Sequence, residues 1–228
     1  MFDGAFRELY AMWVATDWVH GTWWENVVTS SSSNKETGIY SATKLNSSDD
    51  IKVDWGDGTV DTFTGDITQA VHAYASTGTY TVKVSNDVSA FSLCASNSTY
   101  YNRNRYNLTR FLQTGTNVTT LGVDCFRHCD AMVWCDIGDS VTSIENTAFS
   151  GTAALKDLWF RRKTAPTLGQ TNVFGSSTST YTGTQYTGYT NRSNGTNKLH
   201  LPSGHSGYTT DGWTVLTDAN HGFTIQTF

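Results

Sequence analysis

The chain has 228 residues and a formal net charge of −5, with 15% charged, 38% hydrophobic and 13% aromatic residues. Its basic residues are few and unclustered, which argues against a nucleic-acid-binding surface. No window of about 20 apolar residues could cross a membrane as a helix. Abundant Thr, Tyr, Gly and Asn favour strands and turns, a composition typical of an extracellular or virion β protein.

An aromatic-rich segment and a polar linker occupy residues 1–37. The segment has no basic n-region and acidic residues interrupt its apolar positions, so we do not interpret it as a secretory signal peptide. So many aromatic side chains need an apolar partner. We predict that its tryptophans anchor the chain to a capsid, a tail or another copy of itself; packing on the next domain is the alternative. These residues are Trp13, Trp18, Trp23 and Trp24.

Short strands separated by turns follow the linker. Residues 51–63, IKVDWGDGTVDTF, are predicted to form a strand, a tight turn and a second strand. Asp54 and Asp57 are expected to accept hydrogen bonds from amides of that turn. A further turn at Thr77 and Gly78 leads into a strand with alternating apolar residues.

Two of these segments resemble the PKD domain, an immunoglobulin-like β-sandwich. They are DWGDGT (54–59) and HAYASTGTYTVKV (72–84). The family combines a W-x-F-GDGT turn with an H-x-Y-x-x-x-G-x-Y-x-V strand, whereas here Trp55 stands directly before the glycine, without the intervening Phe. The resemblance implies a PKD-like β-sandwich over residues 38–95.

The same resemblance implies structural roles for three residues. Trp55 would lie in the core, Asp57 would fix the turn and Tyr80 would pack nearby. Five aspartates crowd one end of this unit, so calcium binding is an alternative role for them. They are Asp49, Asp50, Asp54, Asp57 and Asp61. Because their spacing is not that of an EF-hand, we expect turn-forming or solvated carboxylates instead.

Four cysteines occur, three of them within CFRHCDAMVWC at 125–135. The spacing C-x3-C-x5-C matches no strong zinc pattern, and free cysteines are among the most buried residue types. We therefore favour structural packing. A disulfide, or a zinc site that includes His128, is the alternative. The cysteines are Cys94, Cys125, Cys129 and Cys135.

A 23-residue repeat relates LGVDCFRHCDAMVWCDIGDSVTS (121–143) to IENTAFSGTAALKDLWFRRKTAP (144–166). One repeat cannot bury its own apolar positions, so consecutive repeats are predicted to stack as a solenoid. The aligned pairs are Leu121 with Ile144, Phe126 with Phe149, Met132 with Leu155, Cys135 with Leu158, and Ile137 with Phe160.

This repeat resembles the BspA-like leucine-rich repeat of bacterial surface proteins and phage genomes. The matching pieces are CFRHCDAM (125–132), VTSIENTAF (141–149) and, after the array, KLHLPSGHSGYTTDGW (198–213). Cys129 fills the usual cysteine position of the family. The resemblance implies a mainly β chain, with the PKD-like β-sandwich followed by a short BspA-like leucine-rich-repeat solenoid and C-terminal cap over residues 105–228.

A low-complexity stretch over residues 175–197 consists mainly of Tyr, Ser, Thr, Gly and Asn. This is the composition of adaptable binding loops, in which tyrosines supply contact area and small polar residues supply hydrogen bonds. Its candidate surface-binding residues are Tyr181, Tyr186 and Tyr189. An inert linker is the alternative.

Catalytic motifs are missing from the sequence: it has no nucleophile elbow, phosphate loop or H-E-x-x-H pair. We therefore expect no enzyme activity, cofactor or catalytic metal. The combined resemblance implies a non-enzymatic phage virion structural or display protein, such as a head fibre, decoration protein or tail-associated adhesin. It would bind a host surface glycan or protein. A bacterial cell-surface adhesin is the first alternative, and a glycan-active enzyme is the second.

Overall fold

The structure is a computed structural model that describes residues 21–28, 35–85, 87–94, 103–113, 115–169, 172–175, 197–217 and 222–228. Within these ranges the chain is mainly β. The first strands are β1 (Thr22–Val28), β2 (Glu36–Ile39), β3 (Ser41–Lys44), β4 (Ile51–Asp54), β5 (Val60–Phe63), β6 (Ala70–Ala73), β7 (Gly78–Val84) and β8 (Val88–Ser92). They are followed by β9 (Leu108–Gln113), β10 (Thr120–Leu121), β11 (Trp134–Ile137), β12 (Ser143–Ile144), β13 (Asp157–Phe160), β14 (Thr167–Leu168), β15 (Asn197–Leu201), a 3-10 helix (Asp211–Thr217) and β16 (Phe223–Thr227).

Two sheets face each other across a shared core. The nine-stranded sheet has the order β16-β15-β13-β11-β9-β1-β7-β4-β5, and the five-stranded sheet has the order β14-β12-β10-β8-β3. Strands β2 and β6 form a separate antiparallel pair. From β9 to β16 the strands of the large sheet run parallel, whereas β1, β7, β4 and β5 pair antiparallel. None of the helices in the described part of the chain is both long and apolar enough to span a membrane.

The hairpin predicted over residues 51–63 is confirmed. Strands β4 and β5 pair antiparallel, and the carboxylates of both turn aspartates accept backbone hydrogen bonds. The amide of Gly56 donates to Asp54 at 2.9 Å, and the amide of Thr59 donates to Asp57 at 3.1 Å. Gly56 has a φ of 83°, and a Cβ there would lie 2.5 Å from the carbonyl oxygen of Thr81. This turn therefore requires glycine.

Other side chains of the fold contact the three residues for which structural roles were predicted, Trp55, Asp57 and Tyr80. Trp55 is buried and stacks on the His72 ring at 5.1 Å. His72 in turn meets the Asp57 carboxylate at 2.7 Å, and Tyr80 stacks on Tyr74 at 3.9 Å. The described residues contain no cluster of three or more groups that could hold a metal ion.

The strands of residues 38–95 do not form a self-contained sandwich. Strand β7 pairs with β1, which precedes this range, and β8 pairs in parallel with β10, which follows it. The antiparallel strands and the repeats therefore share both large sheets. This range is an antiparallel β region, and a separate PKD-like sandwich is not shown.

The position of β1 corrects the anchoring prediction for two of the four tryptophans. Trp24 is fully buried in the core, where its ring lies 5.8 Å from that of Phe91. Trp23 is also buried, on the opposite face of the sheet. Both side chains belong to the chain's own fold because β1 lies inside the nine-stranded sheet. Trp13 and Trp18 lie outside the described residues.

The 23-residue repeat is confirmed in the backbone. Phe126 donates its amide hydrogen to the carbonyl of Ala148 at 2.7 Å, and Phe149 donates to the carbonyl of Val173 at 2.8 Å. The apolar residues aligned in the sequence are buried, including all members of the five aligned pairs. Each repeat thus rests on the next, as a solenoid requires.

Left-handed backbone positions recur with the same period. Asp124 and Thr147 have φ values of 59° and 57°, and His128 and Gly151 have values of 58° and 80°. A Cβ on Gly151 would collide with the imidazole of His128, so this glycine is favoured by its conformation and required by the space available. Burial lowers the pKa of His128 to about 4, so the imidazole is neutral at neutral pH.

A column of phenylalanine rings runs through the core. Ring centroids are 6.3 Å apart for Phe91 and Phe111, 4.6 Å for Phe111 and Phe126, and 5.0 Å for Phe126 and Phe149. Phe174 continues the column at 5.5 Å from Phe149. The column crosses from the antiparallel region into the repeats, so it holds both parts in one core.

The C-terminal segment completes the parallel sheet. Strand β15 pairs with β13, and β16 pairs with β15, both in parallel. The 3-10 helix comes between these two strands in the sequence. Its Trp213 is buried, and the indole nitrogen donates to the carbonyl of Pro166 at 3.1 Å. The same ring contacts Phe160 and Phe174, so this segment closes the end of the phenylalanine column.

We expect Phe126→Ala and Phe149→Ala each to lower the free energy of unfolding by about 3–5 kcal/mol, because each leaves a cavity in the column. Phe149→Leu, which keeps most of the volume, should lose only about 1–2 kcal/mol. Urea unfolding followed by circular dichroism measures both. Losses below about 1 kcal/mol for both alanine variants would contradict the stacked repeat.

Candidate ligand-binding face

The nine-stranded sheet has an inner and an outer face in its parallel part. Paired residues Cys135, Leu158 and Leu199 point inward and are fully buried. Because side chains alternate along a strand, their neighbours in sequence point away from the core. We call this opposite side the outer face.

A central row of side chains crosses the outer face from strand to strand. Strand pairing sets Trp23 beside Leu112, Leu112 beside Asp136, Asp136 beside Trp159, and Trp159 beside His200. A second row runs parallel to it on the same face, two residues away along each strand. That row consists of Glu25, Arg110, Trp134, Asp157 and Lys198.

Asp136 is the most deeply placed charge of the central row. Its side chain is 1% exposed and accepts from the Arg161 Nε atom at 2.8 Å, while the other carboxylate oxygen accepts from Arg161 Nη2. Burial raises the pKa of the Asp136 carboxyl, and Arg161 opposes this shift. The pair is bidentate, so it fixes the plane of the guanidinium.

Planar groups stack beside this ion pair. The imidazole of His200 lies 3.7 Å from the Trp159 ring, with 3° between the planes. The guanidinium carbon of Arg161 lies 4.7 Å from the Trp159 centroid and 5.1 Å from that of Phe228. His200 also meets Asp157 at 2.9 Å. The orientations of Trp159 and His200 are therefore set by their neighbours.

Trp134 supplies an indole that remains partly open to solvent. It packs against Trp23 and Leu112, which are buried on the same face of the sheet. Its neighbours across the strands are Arg110 and Asp157. A charged donor and a charged acceptor thus flank one aromatic side chain on a sheet that fixes their spacing.

A partly exposed indole beside charged donors and acceptors can bind a ligand that has both an apolar face and polar groups. A sugar ring has an apolar C–H face and a rim of hydroxyl groups. An indole can pack against the first, and charged side chains can hydrogen-bond with the second. The carboxylate of Asp136 is committed to Arg161 and that of Asp157 contacts His200.

The sequence did not identify these outer-face residues, although it contained a signal for them. The repeat offset relates Trp134 to Asp157 and Asp136 to Trp159, and these positions lie next to the aligned apolar ones. Among the predicted site residues, Trp23 is a buried member of the central row on this face and Trp24 lies in the core. Tyr181, Tyr186 and Tyr189 lie outside the described residues.

Comparison of the chain with protein-family models, curated proteins and solved structures finds no match. Function must therefore be inferred from the geometry of the molecule itself.

Replacing Arg161 with Leu should lower the free energy of unfolding by roughly 3–5 kcal/mol, because the buried Asp136 carboxylate loses its partner. The double variant Arg161→Leu/Asp136→Leu should recover most of that loss, since it removes both charges. Denaturant unfolding at pH 7 measures the four-member cycle. With Asp136→Leu as the second single variant, a loss in the double variant equal to the sum of the two single losses would show that the ion pair does not couple the two residues.

Proposed function

We propose that this chain is a non-enzymatic display protein that binds a host surface glycan through its outer face. One observation carries the proposal: the partly exposed indole of Trp134 lies between Arg110 and Asp157 on a sheet whose register fixes all three. Tight packing beneath Trp134 limits its motion, which reduces the entropy lost on binding.

The rest of the outer face extends this surface. Phe228 is 49% exposed beside the Arg161 guanidinium, and Lys198 is exposed in the adjacent row. Several apolar and charged positions at strand spacing suit an extended ligand with repeating units. A polysaccharide has that form, whereas a small molecule would need an enclosing pocket.

The proposed location is the surface of a phage particle. Support comes from the sequence resemblance to PKD and BspA-like segments, a combination found in phage virion and gut-bacterial surface proteins. A bacterial cell-surface adhesin with the same ligand face is the alternative. In either case an extended β surface would be presented to the outside.

Attachment to a capsid or tail would use residues N-terminal to β1. Since Trp23 and Trp24 are committed to the fold, the proposed anchor is restricted to residues 1–20, with Trp13 and Trp18 as contact residues. The outer face would then remain free for the host.

Glycan binding is tested on an array of bacterial surface polysaccharides, with titration calorimetry on the strongest binder. Trp134→Ala should weaken binding at least about 10-fold, because it removes the aromatic platform. Lys198→Ala alters the same face through an exposed side chain, so it should weaken binding while the free energy of unfolding stays unchanged.

Val123→Ala is the matched control, since Val123 is exposed in a repeat turn away from the outer face. It should bind as the unaltered chain does. Wild-type binding that both Trp134→Ala and Lys198→Ala leave unchanged would contradict the assignment of the face. Release of shortened oligosaccharides would contradict the non-enzymatic part.

Deletion of residues 1–20 tests the anchor and the location together. The shortened chain keeps β1, so its circular dichroism spectrum and glycan binding should match those of the full chain. In phage particles, immunogold electron microscopy should detect the full chain and not the shortened one. Equal labelling of particles by both would exclude this anchor, and labelling of bacterial cell surfaces alone would favour the adhesin.

A further inference from the structure

Two cysteines from different parts of the chain meet in the core. Cys94 lies two residues after the end of β8, and Cys129 lies in a repeat turn 35 residues later. Their sulfur atoms are 3.7 Å apart, and both side chains are fully buried. All four cysteines are free thiols, and their predicted burial is confirmed.

We propose that Cys94 and Cys129 are an oxidation site that forms a disulfide when the chain meets a disulfide oxidant. The two sulfur atoms are already in van der Waals contact, so these two cysteines are placed to react with each other. Bond formation needs the sulfur atoms to approach by about 1.7 Å, given an S–S bond of about 2.04 Å. Rotation about the side-chain bonds supplies displacements of that size.

The backbone on both sides of the pair is held in place. Leu93 donates its amide hydrogen to the carbonyl of Cys125 at 3.1 Å, so the Cys94 segment lies directly against the repeat turn. The Ser92 hydroxyl donates to the carbonyl of Cys94 at 2.9 Å. Within the turn, the amide of Cys129 donates to Phe126 at 3.0 Å. The two thiols are therefore kept adjacent by bonds that do not involve sulfur.

The oxidation is a thiol–disulfide exchange. One thiol loses its proton and attacks glutathione disulfide, which forms a mixed disulfide and releases one glutathione thiolate. The second cysteine thiolate then displaces the bound glutathione. Overall two protein thiols lose two protons and two electrons, and one glutathione disulfide becomes two glutathione thiols.

Burial raises the pKa of the Cys129 thiol, so few thiolates exist in the closed structure. Reaction therefore requires brief local opening and is slow compared with that of an exposed cysteine. The first repeat turn, which carries Cys129, must open for the oxidant to enter. Oxidation should thus be faster in low urea, before global unfolding begins.

The bond would secure the junction between the antiparallel strands and the repeats. It would close the segment 94–129, which contains β9 and β10. Cross-links of this length stabilise by restricting the unfolded chain. Disulfides persist outside the reducing cytosol, so a displayed chain would be stabilised after release. Only this last consequence rests on the proposed function.

The site is tested on the full-length folded chain incubated with glutathione disulfide, then alkylated, digested and analysed by mass spectrometry. We expect a linked Cys94–Cys129 peptide, about 2 Da lighter than the two thiol peptides together. The oxidised chain should unfold at a urea midpoint higher by on the order of 1 M.

Cys94→Ala and Cys129→Ala should each abolish the linked peptide and the shift of the midpoint. Cys135→Ala is the matched control, because Cys135 is equally buried but lies in strand β11, and it should retain both. If a variant does not fold, identification of the linked peptide in the unaltered chain alone tests the proposal. Two results would overturn the proposal. One is a disulfide that involves Cys125. The other is that all four thiols remain free in low urea, where local opening gives the oxidant access. Glycan binding is measured separately, so failure of either proposal is distinguishable.

Discussion

The pairing of β1 with β9 is the interaction on which the rest of the structure depends. A stack of repeats leaves an open edge at its first strand, and an open edge of a sheet invites pairing with other chains. Here β1 covers that edge: Trp23 pairs with Leu112, and Glu25 pairs with Arg110. Its other side pairs with β7. A single strand therefore both caps the repeats and joins them to the antiparallel region.

Buried polar groups fix the position of β1. The side-chain amide of Asn26 donates to the Thr37 hydroxyl at 2.8 Å, and that hydroxyl donates to Asn104 at 2.9 Å. Asn104 then donates to the carbonyls of Gly38 and Leu93 at 2.8 and 2.9 Å. Shifting β1 by one residue would break this chain of bonds and exchange the inner and outer faces of the strand.

Alternation along the strands links the core to the proposed ligand face. The register that stacks Cys135 on Leu158 also places Trp134 beside Asp157 and Asp136 beside Trp159. Errors in core packing would therefore displace the outer side chains as well. The spacing of the binding groups is inherited from the repeats, so no separate pocket is needed to position them.

Local features of the fold could be predicted from the sequence, and distant ones could not. The repeat predicted burial of Phe126 and Phe149 because its period is visible in the residues themselves. The turn at Asp54 could also be predicted, because the residues that form it are adjacent in the sequence. Pairing of Trp23 with Leu112 joins residues far apart in the chain, and no local pattern specifies it. With both of its faces covered, β1 lacked the alternation that marks a half-buried strand.

The outer face was missed for a related reason. Trp159 and His200 come from strands separated by a long connection, and only the parallel register brings their rings together. In the sequence each is a single aromatic residue next to an apolar one. Their shared face becomes visible only once β13 and β15 are aligned.

The ion pair at the centre of this face is not explained by stability alone. Burying Asp136 costs desolvation energy that its bond with Arg161 offsets, so replacing both residues with apolar ones of similar size should change stability little. What the pair adds is orientation. It holds the guanidinium plane against Trp159 and beside the exposed ring of Phe228. The carboxylate and the two aromatic rings together fix the position of this cation on the outer face. The buried charge is therefore better accounted for by the orientation of this guanidinium than by packing.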